Sequence, residues 1–526
     1  MNAIQEPPEQ LGVFTDADNM TVITRSSGDN QSLSYLDKMT SALPYHLAEQ
    51  ERVLIVGAGG GSDILQAGLH HVPTIDAIEL NPQMISLVRD RFGEFSNDLY
   101  KKANVNIHIG DACDFMRTGD QQYDLIQLAL LDAFNASASG LYALNENYLY
   151  TTEAIQMYLE RLNLDGYVAT TRWMKIPPRD TLKLFATAIE ALKGAGVQSP
   201  ARRLVLIRSW QTSTLLIKNS DLSLADIQAI TAFCDQRSFD IAYIPGISEQ
   251  QVNRYNVLRQ AYFYKGALSL LGGKHAQFLD QYKFNLEPAT DDRPYFNHFF
   301  KWKTLPEIIK LRGKGGMPLI EWGYIILIAT LVVAVLISIL LILLPLLFLP
   351  RENKQAACRL KRTHVVLYFF LVGLAFLFIE IAFMQKFILF LHHPVYAISV
   401  SLASFLVFAG MGSHWSTRLT QKFSHHQVAI IAVVAIATLS LLYLMILGSV
   451  FSSFSTTSAN MRTILTIILI APLAFFMGMP FPSALSSLDK YDRRFIPWAW
   501  GINGCASVIS AVLASLLALH FGFTVV

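Results

Sequence analysis

Hydrophobic and polar positions along this 526-residue chain change rhythm near residue 323. Before that point short apolar runs alternate with segments of helical period; beyond it apolar residues continue almost without a break. In the first part, Arg52-Val-Leu-Ile-Val56 reads as a strand that breaks at Gly57-Ala-Gly-Gly-Gly-Ser-Asp63 into a helix start, and Thr74-Ile-Asp-Ala-Ile-Glu79 as a second strand. Asn81-Pro82 is a cap with proline in the first turn, opening a helix over Met84 to Phe92. Val105 to Ile109 is a third strand, ending at Gly110-Asp111. Tyr123 to Leu131, almost wholly apolar as a strand buried on both faces should be, is a fourth, with Asp132 at its end. Asp165-Gly166 reads as a turn into a fifth strand, Tyr167 to Trp173. This alternation predicts a doubly wound α/β domain, whose ligands lie beyond the carboxyl ends of the strands.

The second part predicts an all-α, multi-span transmembrane domain. Gly323 to Leu349 is an uncharged run of 27 residues, and comparable runs cover His364 to Met384, Val395 to Met411, Gln427 to Val450, Ile464 to Ser483 and Pro497 to Val526. At about 1.5 Å per residue each crosses roughly 30 Å of hydrocarbon. Six spans are expected, fewer if the polar break Gln385 to Pro394 is a re-entrant turn. The expected organisation is a β-rich segment over 1–50, the α/β domain over 51–300, a linker over 301–322 and the bundle over 323–526.

Composition sharpens this picture. The chain is 52% hydrophobic and 16% charged, with a formal charge of +2 and no long basic stripe, which argues against nucleic acid. Cys113, Cys234, Cys358 and Cys505 have no C-x-x-C spacing and read as reduced thiols. The pairs His70/His71, His392/His393 and His425/His426 lack acidic or cysteine companions nearby in sequence, so surface or interfacial histidines are expected and no metal. No basic segment followed by an apolar core opens the chain, so the soluble domain is expected in the cytoplasm and the protein in a membrane such as the bacterial inner membrane. Charge bias conflicts: Arg351, Lys354, Arg359, Lys361 and Arg362, with Lys490, Arg493 and Arg494, pull two loops to the cytoplasm, while Lys301, Lys303, Lys310, Arg312 and Lys314 pull the first domain there as well.

The candidate chemistry gathers at strand ends. Gly57, Gly59 and Gly61 permit a sharp turn and a close ligand approach, and Glu79, 18 residues after Gly61, can accept ribose hydroxyls. Because position 62 is Ser, the pattern is G-x-G-x-G rather than the dinucleotide G-x-G-x-x-G, the spacing common in folds that bind S-adenosyl sulfonium nucleosides. Asp63, Asp111 and Asp132 fall at the same end, and Tyr142, Tyr148, Tyr150 and Trp173 supply aromatic surface for a substrate pocket.

These residues resemble the spermidine and spermine synthases, more closely their membrane-embedded relatives. The resemblance rests on the glycine loop, Glu79, Gly110-Asp111-Ala112, Tyr123-Asp124-Leu-Ile, the stretch Leu144-Asn-Glu-Asn-Tyr148-Leu-Tyr150-Thr-Thr-Glu153 and Thr290-Asp-Asp-Arg-Pro-Tyr-Phe296. Phe378-Ile-Glu380, Gly410-Met-Gly412, Gly478-Met-Pro480 and Trp498-Ala-Trp-Gly-Ile-Asn503 are similar to the relatives' multi-span module. The resemblance implies a class I methyltransferase-like Rossmann domain, a donor that is S-adenosylmethionine or its decarboxylated form, ribose on Glu79, adenine near Asp111 and Ala112, and catalysis at Asp132. In many of these relatives a further membrane module precedes the soluble domain, so a shortened form or a fragment is expected.

Departures weigh against simple polyamine synthesis. The synthases end the fourth strand with Y-D-V-I-I-x-D-S-x-D-P, where this chain has Ala129 for the first later acid, Asp132 for the second and Ala133 for the proline. Their acidic pair D-E-x-x-Y is replaced by Thr40-Ser-Ala-Leu-Pro-Tyr45. Two functions therefore stand: a membrane-anchored transferase, aminopropyl- or methyl-transferring, acting on an amine or a lipid-like acceptor, and a carrier with a nucleoside-binding sensor domain. Glu380 is costly at span depth, and Lys386, six positions on and about 240° around the helix, cannot pair with it, so Arg462 or Asn503 is the expected partner. Gly410, Gly412, Gly501 and Gly504 are expected at helix contacts. The partners expected are a small acceptor and the bilayer, and a homo-oligomer is compatible with the pattern.

Overall fold

A computed structural model describes residues 7–15, 19–29, 31–130, 145–310, 322–347, 362–391, 394–454, 457–491 and 493–525. It separates into two compact units, Met1–Tyr324 and Ile325–Val526.

The first unit opens with an antiparallel hairpin, β1 (Gln10–Thr15) and β2 (Asn19–Thr24). Its main sheet runs in the order β10-β8-β9-β7-β6-β3-β4-β5. The strands are β3 (Arg52–Val56), β4 (Thr74–Glu79), β5 (Val105–Ile109), β6 (Tyr123–Leu128), β7 (Leu162–Trp173), β8 (Leu204–Arg208), β9 (Thr212–Lys218) and β10 (Asp240–Tyr243). Pairs among β3 to β7 are parallel, and β9 enters antiparallel between β7 and β8. Chain direction diverges between β3 and β6, so the topological switch point of this Rossmann-type sheet lies at their carboxyl ends.

Alternation along β3 explains why both faces are covered. Leu54 and Val56 enter one core, together with residues of α3 (Ala112–Thr118), α4 (Thr152–Glu160) and α5 (Asp180–Gly194). Val53 and Ile55 enter the other, with α1 (Ser62–Leu69), α2 (Pro82–Ser86) and α6 (Leu224–Arg237). The last part of the unit is tied down by buried cations. Arg172 lies over the Tyr150 and Phe296 rings at 4.7 and 4.9 Å, Arg179 is 5.3 Å from Phe284 and Phe299, and the Lys183 ammonium donates to the Tyr295 and His298 carbonyls.

Several sequence expectations are corrected. Asp165-Gly166 is no turn between elements: it lies inside β7, where Asp165 takes a left-handed φ of 67° and the register with β6 slips. The helix expected over Met84 to Phe92 is α2 followed by a wider π turn over Leu87–Arg91. His70 is half-buried, stacked on Tyr45, and shares Asp37 with His46 and Arg237. Burial would raise the Asp37 carboxyl, but hydrogen bonds from His46, His70 and Arg237 prevail and hold it well below the usual range. The guanidinium occupies this carboxylate, which favours an ion-pair brace between the N-terminal segment and α6.

Among the described residues six helices are long and apolar enough to cross a membrane, all but the first two residues of the first lying in the second unit: Gly323–Ile342, Thr363–Leu391, Val395–Leu419, His425–Phe451, Ala459–Asp489 and Ile496–Phe521. The polar break expected from Gln385 onward is helical through Leu391, so no re-entrant turn begins there. Of the glycines expected at contacts, Gly412 is one: a Cβ there would stand 1.8 Å from the Phe475 carbonyl oxygen. Gly410, Gly501 and Gly504 would meet nothing within 4 Å; the contact glycines are Gly478, against Ala409, and Gly373, against Asn503. Glu380 is buried, yet Asn503 donates to the Phe369 carbonyl and Arg462 to that of Phe390, and no ion pair joins Glu380 to either among the described residues. Lys386 reaches Thr524 instead.

Candidate functional site

The register of three adjacent strands builds the site. Val56 pairs with Ile78 and Glu79 with Ile109, so the turns after β3, β4 and β5 emerge side by side. After β3 the chain passes through Gly57, Gly59 and Gly61 at φ of 87°, 51° and 91°, left-handed values that favour glycine. The loop's N–H groups are held by the protein itself. Gly57 and Ala58 donate to the Ile78 carbonyl, Gly59 to Glu79 Oε2, Gly60 to Thr21 Oγ1 on the hairpin and Gly61 to the Ala58 carbonyl. Each of these N–H groups thus has an acceptor within the protein, and the glycines shape the sharp turn expected of them. Their missing side chains also admit covering elements: a Cβ on Gly60 would lie 2.0 Å from the Val22 carbonyl oxygen, and one on Gly61 2.5 Å from Leu99.

Glu79 is the keystone of this arrangement. One oxygen accepts from Gly59 N–H and the other from Asn81 N–H, each at 2.9 Å, and each keeps further acceptor capacity. Beside it Leu80 and Ile109 are large apolar side chains left half exposed or more, a surface suited to a nucleobase. Asp111 caps α3 through Oδ1, which accepts from Cys113 and Asp114 N–H, and Oδ2 has no partner among the described residues. Burial raises its pKa. Ala112 is buried behind it.

Asp63 sits in a side-chain network rather than facing outward alone. Tyr45 donates to Gln127 Oε1, and the Gln127 amide donates to Asp63 Oδ1 and to Gln66. Burial pushes the Asp63 carboxyl up to about 6. Ala129, paired to Val56 beyond the end of β6, is buried. Asp132 and Tyr142 lie outside the described residues. Tyr150 is fully buried against Phe296 and Arg172, so it backs the site instead of lining it. Tyr148 and Trp173 are half-buried.

Two carboxylates were missed as candidates although their motifs were noticed. The stretch before α4 lies along the Thr290–Phe296 segment: Asn147 N–H donates to the Pro294 carbonyl, Thr152 N–H to that of Ala289, and Thr151 Oγ1 to Asp291 Oδ1 at 2.7 Å. Asp291 is raised to about 6 by burial. Glu146 accepts from the Tyr148 hydroxyl, has no cationic partner among the described residues and is raised to about 7, again by burial. Asp63, Asp111, Asp291 and Glu146 thus share one electrostatic character, carboxyls that burial raises; Arg117, 3.9 Å from Asp291, offsets this in part at Asp291 and Asp111. The signal in sequence was an acid inside each of two aromatic, turn-rich segments; only their mutual packing gave it weight.

Residues 35–190 match the model of the spermine/spermidine synthase domain. A polyamine aminopropyltransferase of Sulfolobus acidocaldarius is 24% identical over 160 residues, 30% of this chain and 50% of the relative. One of Vibrio vulnificus is 30% identical over 122 residues, 22% of this chain and 38% of the relative. The chain thus spans half or less of the length of these curated relatives. Among solved structures, a spermidine synthase in complex with the transition-state analogue AdoDATO is 14% identical with a TM-score of 0.29, covering 51% of this chain and 85% of that one. Human methyltransferase-like protein 13 in complex with SAH is 18% identical with a TM-score of 0.25, covering 39% and 88%.

Proposed function

We propose, from the spermine/spermidine synthase domain that residues 35–190 carry, a membrane-anchored transferase whose soluble domain takes decarboxylated S-adenosylmethionine and passes its aminopropyl group to an amine. The observation that carries this reading is the junction of the glycine turn, Glu79 and Asp111 at three adjacent strand ends. Free acceptor capacity on Glu79 suits ribose hydroxyls, the unpartnered Asp111 Oδ2 suits an exocyclic amine, and Leu80 and Ile109 suit the base. In the reaction a nitrogen–carbon bond forms as the carbon–sulfur bond breaks, its electron pair neutralises the sulfonium, and the nitrogen releases a proton. Asp132, which in sequence follows the apolar run Tyr123 to Leu131, is the proposed acceptor of that proton. Glu146 is proposed to supply a carboxylate that the missing acidic pair leaves wanting, since an acid short of positive charge favours a cationic ligand.

Full-length protein in detergent, given the decarboxylated donor and a diamine, is expected to release a thioether nucleoside. Asp132→Asn should abolish turnover and leave nucleoside affinity nearly unchanged. Unchanged turnover would move the chemistry elsewhere.

Glu146 gives a pH signature. Its carboxyl must ionise to hold an amine, so activity should climb through about pH 7, and Glu146→Gln should flatten that limb. The sign for stability is opposite. The folded protein keeps a proton that the unfolded chain sheds near an ordinary glutamate pKa, so this group's contribution declines as pH rises from there to about 7. A Gln variant that retains the wild-type pH profile would remove Glu146 from the site.

Methyl transfer is the second reading, and Ala129 favours it: a buried methyl group stands where the synthases carry an acid, and methylation proceeds largely by alignment. S-adenosylmethionine and its decarboxylated form, assayed side by side, separate the two.

The soluble domain is proposed to face the cytoplasm, where adenosyl donors are made. A cysteine placed at exposed Asp120 should resist an impermeant thiol reagent in intact cells and react after lysis, against a wild-type background. Labelling in intact cells would overturn the sidedness and the transferase reading together.

A further inference from the structure

A cavity of about 440 Å³ opens in the helical unit, within the range of small-molecule sites. Its lining is amphipathic. His364, His425 and His426 offer imidazoles and Ser483 and Ser487 offer hydroxyls, while Phe369 and Leu488 form apolar wall. Among the described residues no carboxylate lines it. Ser483 is 1% exposed, and its hydroxyl has no hydrogen-bond partner among the described residues. A buried hydroxyl left unmatched in the wall of a cavity is a donor waiting for an acceptor.

Charge points the same way. His364 lies in the first turn of helix Arg362–Leu391, and His425 and His426 open helix His425–Phe454, so two long helices present their N-terminal ends here. Helix N-termini favour anions. The three histidines do not gather as a metal-binding group among the described residues.

We propose that this cavity binds the phosphoryl headgroup of an anionic membrane lipid, the imidazole and serine donors meeting its oxygens and the apolar wall receiving its glycerol and chain starts. Imidazole donors, an unmatched buried hydroxyl and two helix N-termini together suit phosphoryl oxygens. The inference rests on the membrane-embedded reading of the six helices, but not on the chemistry of the soluble domain.

Delipidated full-length protein in detergent provides the test, by thermal unfolding with dioleoyl phosphatidylglycerol, dioleoyl phosphatidylcholine or inorganic phosphate. Phosphatidylglycerol at about a hundredfold its Kd should raise Tm by roughly 5 °C, phosphatidylcholine and phosphate by far less. Ser483→Leu should remove most of that shift, as should His364→Ala combined with His426→Ala, two exposed positions whose change leaves the helices folded. Equal shifts with both lipids, or a full shift retained in the histidine double variant, would overturn the proposal. A full shift with phosphate alone would replace the lipid by free phosphate. Recovery of the protein from cells without detergent would overturn the membrane reading itself, an outcome distinct from detergent-dependent protein that ignores lipid.

Discussion

Glu79→Ala is expected to abolish the thermal stabilisation that an S-adenosyl nucleoside gives the wild-type protein. The wild-type shift at ligand about a hundredfold above Kd should be roughly 5 °C, and the variant should show none. Two effects combine in this loss. The carboxylate is the proposed acceptor for ribose, and it also fixes the glycine turn by taking Gly59 N–H while its other oxygen takes Asn81 N–H. Without it both N–H groups lose their partner, and the ligand-free protein should itself be less stable by about 1–3 kcal/mol. Glu79→Gln separates the two effects. One amide oxygen can still hold one of the N–H groups, so much of the intrinsic stability returns, whereas the amide NH2 meets the other donor face to face and ligand affinity stays low. A variant that binds the nucleoside as the wild type does would exclude this site.

Asp180→Ala should destabilise the first unit by about 3–5 kcal/mol, because it strips a shared carboxylate from buried cations. Asp180 meets Arg172 at 3.3 Å, Lys175 at 3.3 Å and Arg179 at 3.6 Å, and Arg172, Arg179 and Asp180 are all buried. Burial alone would raise the Asp180 carboxyl; the charges of Lys175, Arg172 and Arg179 overcome it and hold it at about 2. A depressed acid contributes stability above its unfolded pKa and loses it as pH falls toward the folded value, so the wild-type advantage over Asp180→Ala should shrink between about pH 4 and pH 2. Denaturant unfolding of the full chain measures both. Since Arg172 and Arg179 also lie on Tyr150, Phe284, Phe296 and Phe299, proteolysis should reach the 284–300 segment first in the variant. A loss under about 1 kcal/mol would show that the cations find solvent or other partners.

The parts of the fold legible in sequence were those written by local periodicity. β3, β4 and β5 begin and end where the apolar runs do, and Asn81 caps α2 as Asn-Pro predicts, because strand burial and capping act over a few neighbouring residues. The six long apolar helices were legible for the same reason: length and apolarity are properties of a segment alone. The turn expected at Asp165-Gly166 failed because turn chemistry is also bulge chemistry, and which of the two forms depends on the partner strand.

Helix contacts show the same division. Gly410, Gly412, Gly501 and Gly504 are equivalent by sequence, yet only Gly412 has another helix's backbone against it. Rotation of each helix about its axis is set by its neighbours, which no single segment encodes. In the candidate site, the glycines, Glu79 and Asp111 followed from strand ends and helix starts. Glu146 and Asp291 did not, because their raised pKa values come from burial that arises only when the segment before α4 packs along Thr290–Phe296. Sequence alone thus determined the α/β alternation, the glycine turn with its acidic neighbours and the apolar helices, all short-range features. Tertiary structure alone decided that the loop's N–H groups are spent within the protein, that Tyr150 is core and that Glu146 and Asp291 are buried enough for their carboxyls to be raised, since desolvation and partner choice are properties of the assembled chain.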